Sequence, residues 1–198
     1  MVSARAPGLG RREVVAALLQ DRPDDLLVVS GLGSPSYDVH AAGDHDANFY
    51  LWGAMGGAAL VGLGLAQAQP GRTVLVVTGD GEQLMGLGGL ATIAVSSAPN
   101  LVVVVLDNGH FGETGMQRSH TGRGLDLAKV ARACGLSAET VRDMDGVAAL
   151  REALARRSDR ARLCVVEVRA DAVPRSLPVR DAVHLKTRFR ARLGLGAS

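Results

Sequence analysis

The chain has 198 residues, a formal net charge of +2, 47% hydrophobic residues and only 3% aromatic ones. That length suits one good-sized domain with a real core, and so small a charge gives no argument for a nucleic-acid partner. The two cysteines, Cys134 and Cys164, lie far apart and read as reduced thiols of a cytoplasmic protein, and no Cys/His spacing suggests zinc.

In chain order, Met1 to Gly10 reads as a disordered lead, neither secretory signal nor transit peptide. Arg11 to Gln20 places Val14, Val15, Leu18 and Leu19 at helical spacing. Leu26 to Ser30 is a first strand, and Gly31-Leu32-Gly33-Ser34 follows it. A dinucleotide fingerprint would need glycine at position 36, which is Ser36. Tyr37 to Asn48, with Asp38, His40, Asp44, His45 and Asp46, reads as a polar loop. Phe49 to Pro70 carries no charge and is long enough to span a membrane. Its many Gly and Ala residues favour instead a small-residue helix buried against a sheet or another subunit.

Thr73 to Thr78 and Leu101 to Leu106 are continuous β-branched runs, the pattern of parallel strands buried on both faces. Gln83 to Ser97 between them is uncharged and reads as one crossover helix. A helix over Leu125–Cys134, a strand over Ala138–Arg142, a helix over Asp145–Arg156 and a strand over Leu163–Val168 complete the pattern. It predicts an α/β, doubly wound, mainly parallel sheet with helices on both faces, over residues 1–173. From Pro174 the chain turns basic, with Arg175, Arg180, Lys186, Arg188, Arg190 and Arg192, so 174–198 reads as a C-terminal arm.

The two buried strands end on oxygen donors, in Gly79-Asp80-Gly81-Glu82 and Asp107-Asn108-Gly109-His110. Ligands of open α/β sheets bind at that end. Mg²⁺ takes octahedral oxygen ligands, typically one or two carboxylates plus phosphate oxygens. Asp80 offers a carboxylate, Asn108 an amide oxygen, and the His110 carbonyl a third ligand. Gly81 lets a phosphate approach the backbone closely.

This stretch resembles the thiamine-diphosphate-binding motif, Gly-Asp-Gly followed about twenty-five residues later by Asn-Asn; here Asp107 replaces the first Asn. The chain is most similar to the small, separately encoded cofactor-binding subunits of sulfopyruvate and phosphonopyruvate decarboxylases. The resemblance implies thiamine diphosphate and Mg²⁺ as cofactors. It implies metal ligands at Asp80, Asn108 and His110, and cofactor contacts at Gly33, Ser34, Gly53, Met55, Gly79, Gly81, Glu82 and Gly112. Gly53 would accept from the pyrimidine amine and Met55 would wedge under the bent cofactor. Glu113, His120 and His45 are the candidate acid–base or substrate groups, and Arg118, Arg123 or His120 the candidate cations for an anionic substrate.

The glutamate that such enzymes place on the pyrimidine ring comes from another domain. The resemblance therefore implies a partner subunit carrying it, an active site between the two, and an arm that wraps the partner. The expected activity is decarboxylation of a 3-substituted pyruvate. The alternatives are a two-subunit carboligase of the acetolactate-synthase kind and a non-catalytic Rossmann-like nucleotide-binding protein. The absent glycine fingerprint, and Leu87 where a phosphate-binding loop needs Lys, speak against the last.

Overall fold

The valine-rich runs form the middle of a six-stranded sheet in which every pairing is parallel. The computed structural model describes residues 8–96, 98–156 and 158–196. The strands are β1 (Leu27–Ser30), β2 (Asn48–Tyr50), β3 (Val74–Gly79) and β4 (Leu101–Asp107), a small hairpin β5 (His110–Phe111) and β6 (Gln117–Arg118), then β7 (Ser137–Val141) and β8 (Arg162–Glu167). The main sheet runs β2-β1-β3-β4-β8-β7. The helices are α1 (Arg11–Leu19), α2 (Ser34–Ala41), α3 (Ala58–Ala68), α4 (Asp80–Met85), α5 (Gly89–Val95), α6 (Leu127–Ala133), α7 (Met144–Leu154) and α8 (Ala182–Arg192).

Successive strand residues face opposite sides of the sheet, so one run of valines serves two cores. Val74, Val76, Val103 and Val105 pack with α3, α5 and α6. Leu75, Val77, Val102 and Val104 pack with α1, α2 and α7. Each fully buried side chain of this kind contributes about 1.5–3 kcal/mol. This is the doubly wound arrangement expected from the sequence.

Four local expectations are corrected. Tyr37 to Asn48 is not a loop: α2 covers its first part, and Asp38 is fully buried and bonded to Arg11 at 2.5 Å and Arg12 at 3.3 Å. A buried ion pair hides polar residues in a way no hydropathy pattern shows. The crossover between β3 and β4 is two short helices instead of one. It breaks at Gly86–Gly88, where a Cβ on Gly86 would lie 2.1 Å from the Gly56 carbonyl oxygen. Phe49 to Pro70 contributes to edge strand β2, a turn, and then α3, and no helix of the described residues is long and apolar enough to cross a membrane. Of the expected disordered lead, Met1 to Pro7 lie outside the described residues, while Leu9 is bridged to Val168.

The arm folds back on its own chain. Asp181 caps α8, and Leu185 and Phe189 are buried, one in each core, at the β2 edge. Phe189 packs on Phe49 with ring centroids 5.4 Å apart, and Arg188 grips Asp44 through two hydrogen bonds of 2.7 and 3.1 Å. The expectation that this segment wraps a partner meets a different arrangement: its apolar side chains cover the chain's own open edge.

Candidate functional site

The parallel register pairs Gly79 with Leu106, so Asp80 and the Asp107-Asn108 pair emerge side by side at the carboxyl ends of β3 and β4. A cavity of about 200 Å³ opens above them. Asp80, Glu82, Asn108, His110, Met55 and Glu113 all line it. A larger cavity, about 330 Å³, lies on the far side of Asn108, lined by Arg118, Asp126, Arg142 and Glu167. Two of its carboxylates are paired, Glu167 with Arg142 at 3.0 Å and Asp126 with Lys129 at 3.3 Å. The smaller cavity is where the motif's donors converge.

Asp80 is the centre of the polar network. Its Oδ2 accepts from Ser119 Oγ at 2.5 Å and from Thr121 Oγ1 at 2.9 Å, and Thr121 Oγ1 also stands 2.7 Å from Asp107 Oδ1. A hydroxyl has one proton, so Thr121 cannot donate to both carboxylates at once. Burial pushes the Asp80 carboxyl above its usual range, and the neighbouring Asp107 pushes it further, against the two hydroxyl bonds. A cation beside Asp80 would relieve that strain. Among the described residues no three His, Cys, Asp or Glu side chains converge on one metal position. A Mg²⁺ here would therefore need phosphate oxygens to complete its shell.

The loop after Asn108 is locked on itself. The His110 amide donates to Asn108 Oδ1 at 2.8 Å, and His110 Nδ1 lies 2.8 Å from the Asn108 carbonyl, which makes that nitrogen the donor. The hairpin β5–β6 then brings Ser119 and Thr121 back to Asp80. Reading the sequence gave these two hydroxyls no role, because no local pattern ties residues thirty-nine and forty-one positions downstream to that carboxylate.

Of the other expected site residues, Ser34, Gly79, Gly81, Gly112 and Glu113 line the smaller cavity. Gly33 starts α2 at φ 77°, where a Cβ would press on Glu113 at 2.9 Å. Gly81 also makes room for a neighbour the sequence did not suggest: a Cβ there would lie 2.7 Å from the Phe111 ring. Gly53 sits in the exposed turn before α3 and does not line the cavity. Glu113 meets Ser34 Oγ at 3.5 Å and Arg175 at 3.0 Å. His120 is exposed, stacks edge-on against Phe111 with centroids 6.5 Å apart, and does not line the cavity.

His45 is a correction. It precedes β2, whose first residue pairs with Val28, so it lies at the amino edge of the parallel sheet, opposite the cavity. Its Nδ1 accepts from the Ala47 amide at 3.0 Å, and burial, with Arg22 and Arg192 nearby, lowers its pKa. Arg118 lines the larger cavity and Arg123 neither.

Residues 36–168 match the family model described as thiamine pyrophosphate enzyme, C-terminal TPP binding domain. The chain belongs to that family. It is 36% identical over 135 residues to the sulfopyruvate decarboxylase subunit beta of Methanocaldococcus jannaschii, covering 68% of this chain and 71% of that one. It is 49% identical over 121 residues to a phosphonopyruvate decarboxylase of Streptomyces viridochromogenes, covering 61% of this chain but only 30% of that longer protein. A solved 4-hydroxybenzoylformate decarboxylase from Rhodococcus jostii superposes with a TM-score of 0.69 over 86% of this chain and 34% of its own, at 22% identity, which shows the shared fold alone.

The residues present fit the family's cofactor. A buried carboxylate in need of a cation stands beside an amide oxygen, above them lies a cavity with an apolar wall, and Met55 projects from a turn at its side.

Proposed function

We propose that this chain is the cofactor-binding subunit of a two-component, thiamine-diphosphate-dependent decarboxylase acting on a 3-substituted pyruvate of the sulfopyruvate or phosphonopyruvate type. The observation that carries this reading is the convergence of Asp80 and Asn108 at the tips of neighbouring strands, in a chain similar to a decarboxylase subunit of nearly its own size. Bound thiamine diphosphate supplies a carbanion and an electron sink for the loss of CO₂.

The chain's own residues supply holding and orientation. Asp80 and Asn108, with the His110 carbonyl, hold Mg²⁺, and Ser119 and Thr121 keep the Asp80 carboxylate turned toward it. Met55 braces the cofactor from the side. Glu113, held between Ser34 and Arg175 at the cavity wall, is the acid–base candidate of this chain. Arg175 is also the candidate partner for a sulfonate or phosphonate, since a guanidinium matches such oxyanions with two donors.

The partner subunit carries the pyrimidine-side glutamate and closes the cavity. Its seat is the apolar face of α3, α4 and α5, where Leu60, Val61, Met85 and Val95 are all exposed. Leu60 of α3 lies over Gly89 of α5, and Met85 of α4 lies beside Gly56 in the turn before α3, so the three helices adjoin on this side. We place the complex in the cytoplasm, in line with two free cysteines, one of them buried.

The test is to co-express this chain with its partner subunit and measure CO₂ release from sulfopyruvate, phosphonopyruvate and pyruvate. Release from a 3-substituted pyruvate, absent for either subunit alone, supports the proposal. A condensation product from pyruvate with a second carbonyl compound, without aldehyde release, would replace it by the carboligase reading.

A further inference from the structure

Glu82 is 4% exposed, and its carboxylate occupies space that only a glycine leaves open. A Cβ on Gly31 would lie 1.7 Å from Glu82 Oε2. That oxygen accepts from Thr78 Oγ1 at 2.8 Å, and the amides of Leu32 and Gly56 face the carboxylate. Oε1 makes no full hydrogen bond among the described residues, so the carboxylate has acceptor capacity left on the side of the turns.

Three segments therefore meet at one side chain: the turn after β1, the turn before α3, and the end of β3. At its other end α4 touches the second turn again, since Gly86 and Gly56 stand in backbone contact. The second turn needs such support. Ala54 has φ 54° and Gly56 φ 91°, and a non-glycine residue in the left-handed region costs of the order of 1–3 kcal/mol that its surroundings must hold. Met55 sits between them.

We infer that Glu82 is a positioning residue: from inside α4 it fixes the Met55 turn at a set distance from Asp80. Glu82 borders the cavity, but its carboxylate is buried against Gly31 and the two turns, and it acts on the cofactor through them. This rests on the site assigned above, in which Asp80 anchors one end of thiamine diphosphate and Met55 braces the other. Gly31 and Glu82 then act as one unit. Any side chain at position 31 expels the carboxylate, and loss of the carboxylate frees the turns.

The test uses the full chain bound to its partner subunit, with Glu82→Ala, Glu82→Gln, Gly31→Ala and the Gly31→Ala/Glu82→Ala double variant. Amide hydrogen exchange is read without cofactor, and thiamine diphosphate affinity at saturating Mg²⁺ by calorimetry. Glu82→Ala and Gly31→Ala should each speed exchange over residues 31–34 and 54–57 and weaken cofactor binding at least tenfold. The double variant should be no worse than either single one, and Glu82→Gln, which keeps an acceptor, should recover most of the affinity. Additive losses in the double variant, or unchanged exchange in Glu82→Ala, would overturn the inference. A wild-type complex that binds no thiamine diphosphate would sink the assigned site instead, and the exchange data would still decide whether Glu82 holds the turns.

Discussion

Asp80→Asn should change stability in opposite directions with and without ligand. In the ligand-free chain the Asp80 carboxyl is buried and faces Asp107, and both facts disfavour its charge. Each unit of raised pKa corresponds to about 1.4 kcal/mol. The neutral amide keeps an oxygen for Ser119 and Thr121, so it should hold or raise stability by on the order of 1 kcal/mol. With Mg²⁺ and thiamine diphosphate at a hundred times the dissociation constant, the wild-type chain gains about 2.7 kcal/mol. At roughly 2–4 °C per kcal/mol for a chain of this size, that is a rise of about 5–11 °C in Tm. The variant should lose nearly all of it. The assay is a thermal melt of both proteins with no addition, with Mg²⁺ alone, with cofactor alone and with both. A variant that keeps the full Mg²⁺-dependent rise would refute the metal assignment. A variant that melts well below wild type without ligand would refute the electrostatic argument.

Three further outcomes follow from the packing. Gly86→Ala puts a methyl 2.1 Å from a backbone oxygen, which cannot step aside as a side chain would, so a loss of more than about 2 kcal/mol is expected in urea denaturation; a midpoint within error of wild type would count against the close approach of α4 to the Met55 turn. The Asn100 amide nitrogen shares its two protons among the carbonyls of Ala66, Gln69 and Arg72 at 2.9–3.1 Å, and Asn100→Ala should cost about 2–3 kcal/mol by removing those donors from buried and part-buried carbonyls, where a surface Asn would cost almost nothing. Burial raises the Asp44 carboxyl, but Arg188 and Tyr50 outweigh it and leave the pKa below the ordinary value. The stability this pair contributes is therefore present above about pH 3.9 and lost as pH falls through the lower folded value. Trp52, the only tryptophan, donates to the Val179 carbonyl of the arm and should report its release in acid. In Arg188→Ala that release should move to higher pH, and an unmoved midpoint would remove the pair as the latch of α8.

The meeting of Asp80 and Asn108 at one cavity was legible because both sit on strand ends that hydropathy marks plainly. Valine runs fix where β3 and β4 lie, and parallel pairing then brings the next residues together. Asp107 entered the reading only as a departure from the motif, yet it lies beside Asp80 and adds to the rise that burial gives that carboxyl. His45 went wrong for the converse reason: polar residues before a strand look alike whichever edge of the sheet they reach. Glu82 was read only as a cofactor contact next to the motif, but its side chain fills the space left by a glycine fifty-one positions away.

The sequence alone determined a parallel sheet with two buried faces, since only that arrangement hides unbroken β-branched runs, and it determined the chemistry of the strand tips. Tertiary structure decided what those tips touch. Ser119 and Thr121 return to Asp80 only through the β5–β6 hairpin, and Glu82 turns toward Gly31 only because two turns from elsewhere in the chain surround it. It also decided that the arm covers β2, because an open strand edge and a helix with two buried apolar residues satisfy each other within one chain. Periodicity reports which residues avoid water. It carries no information about which distant neighbour they avoid it with.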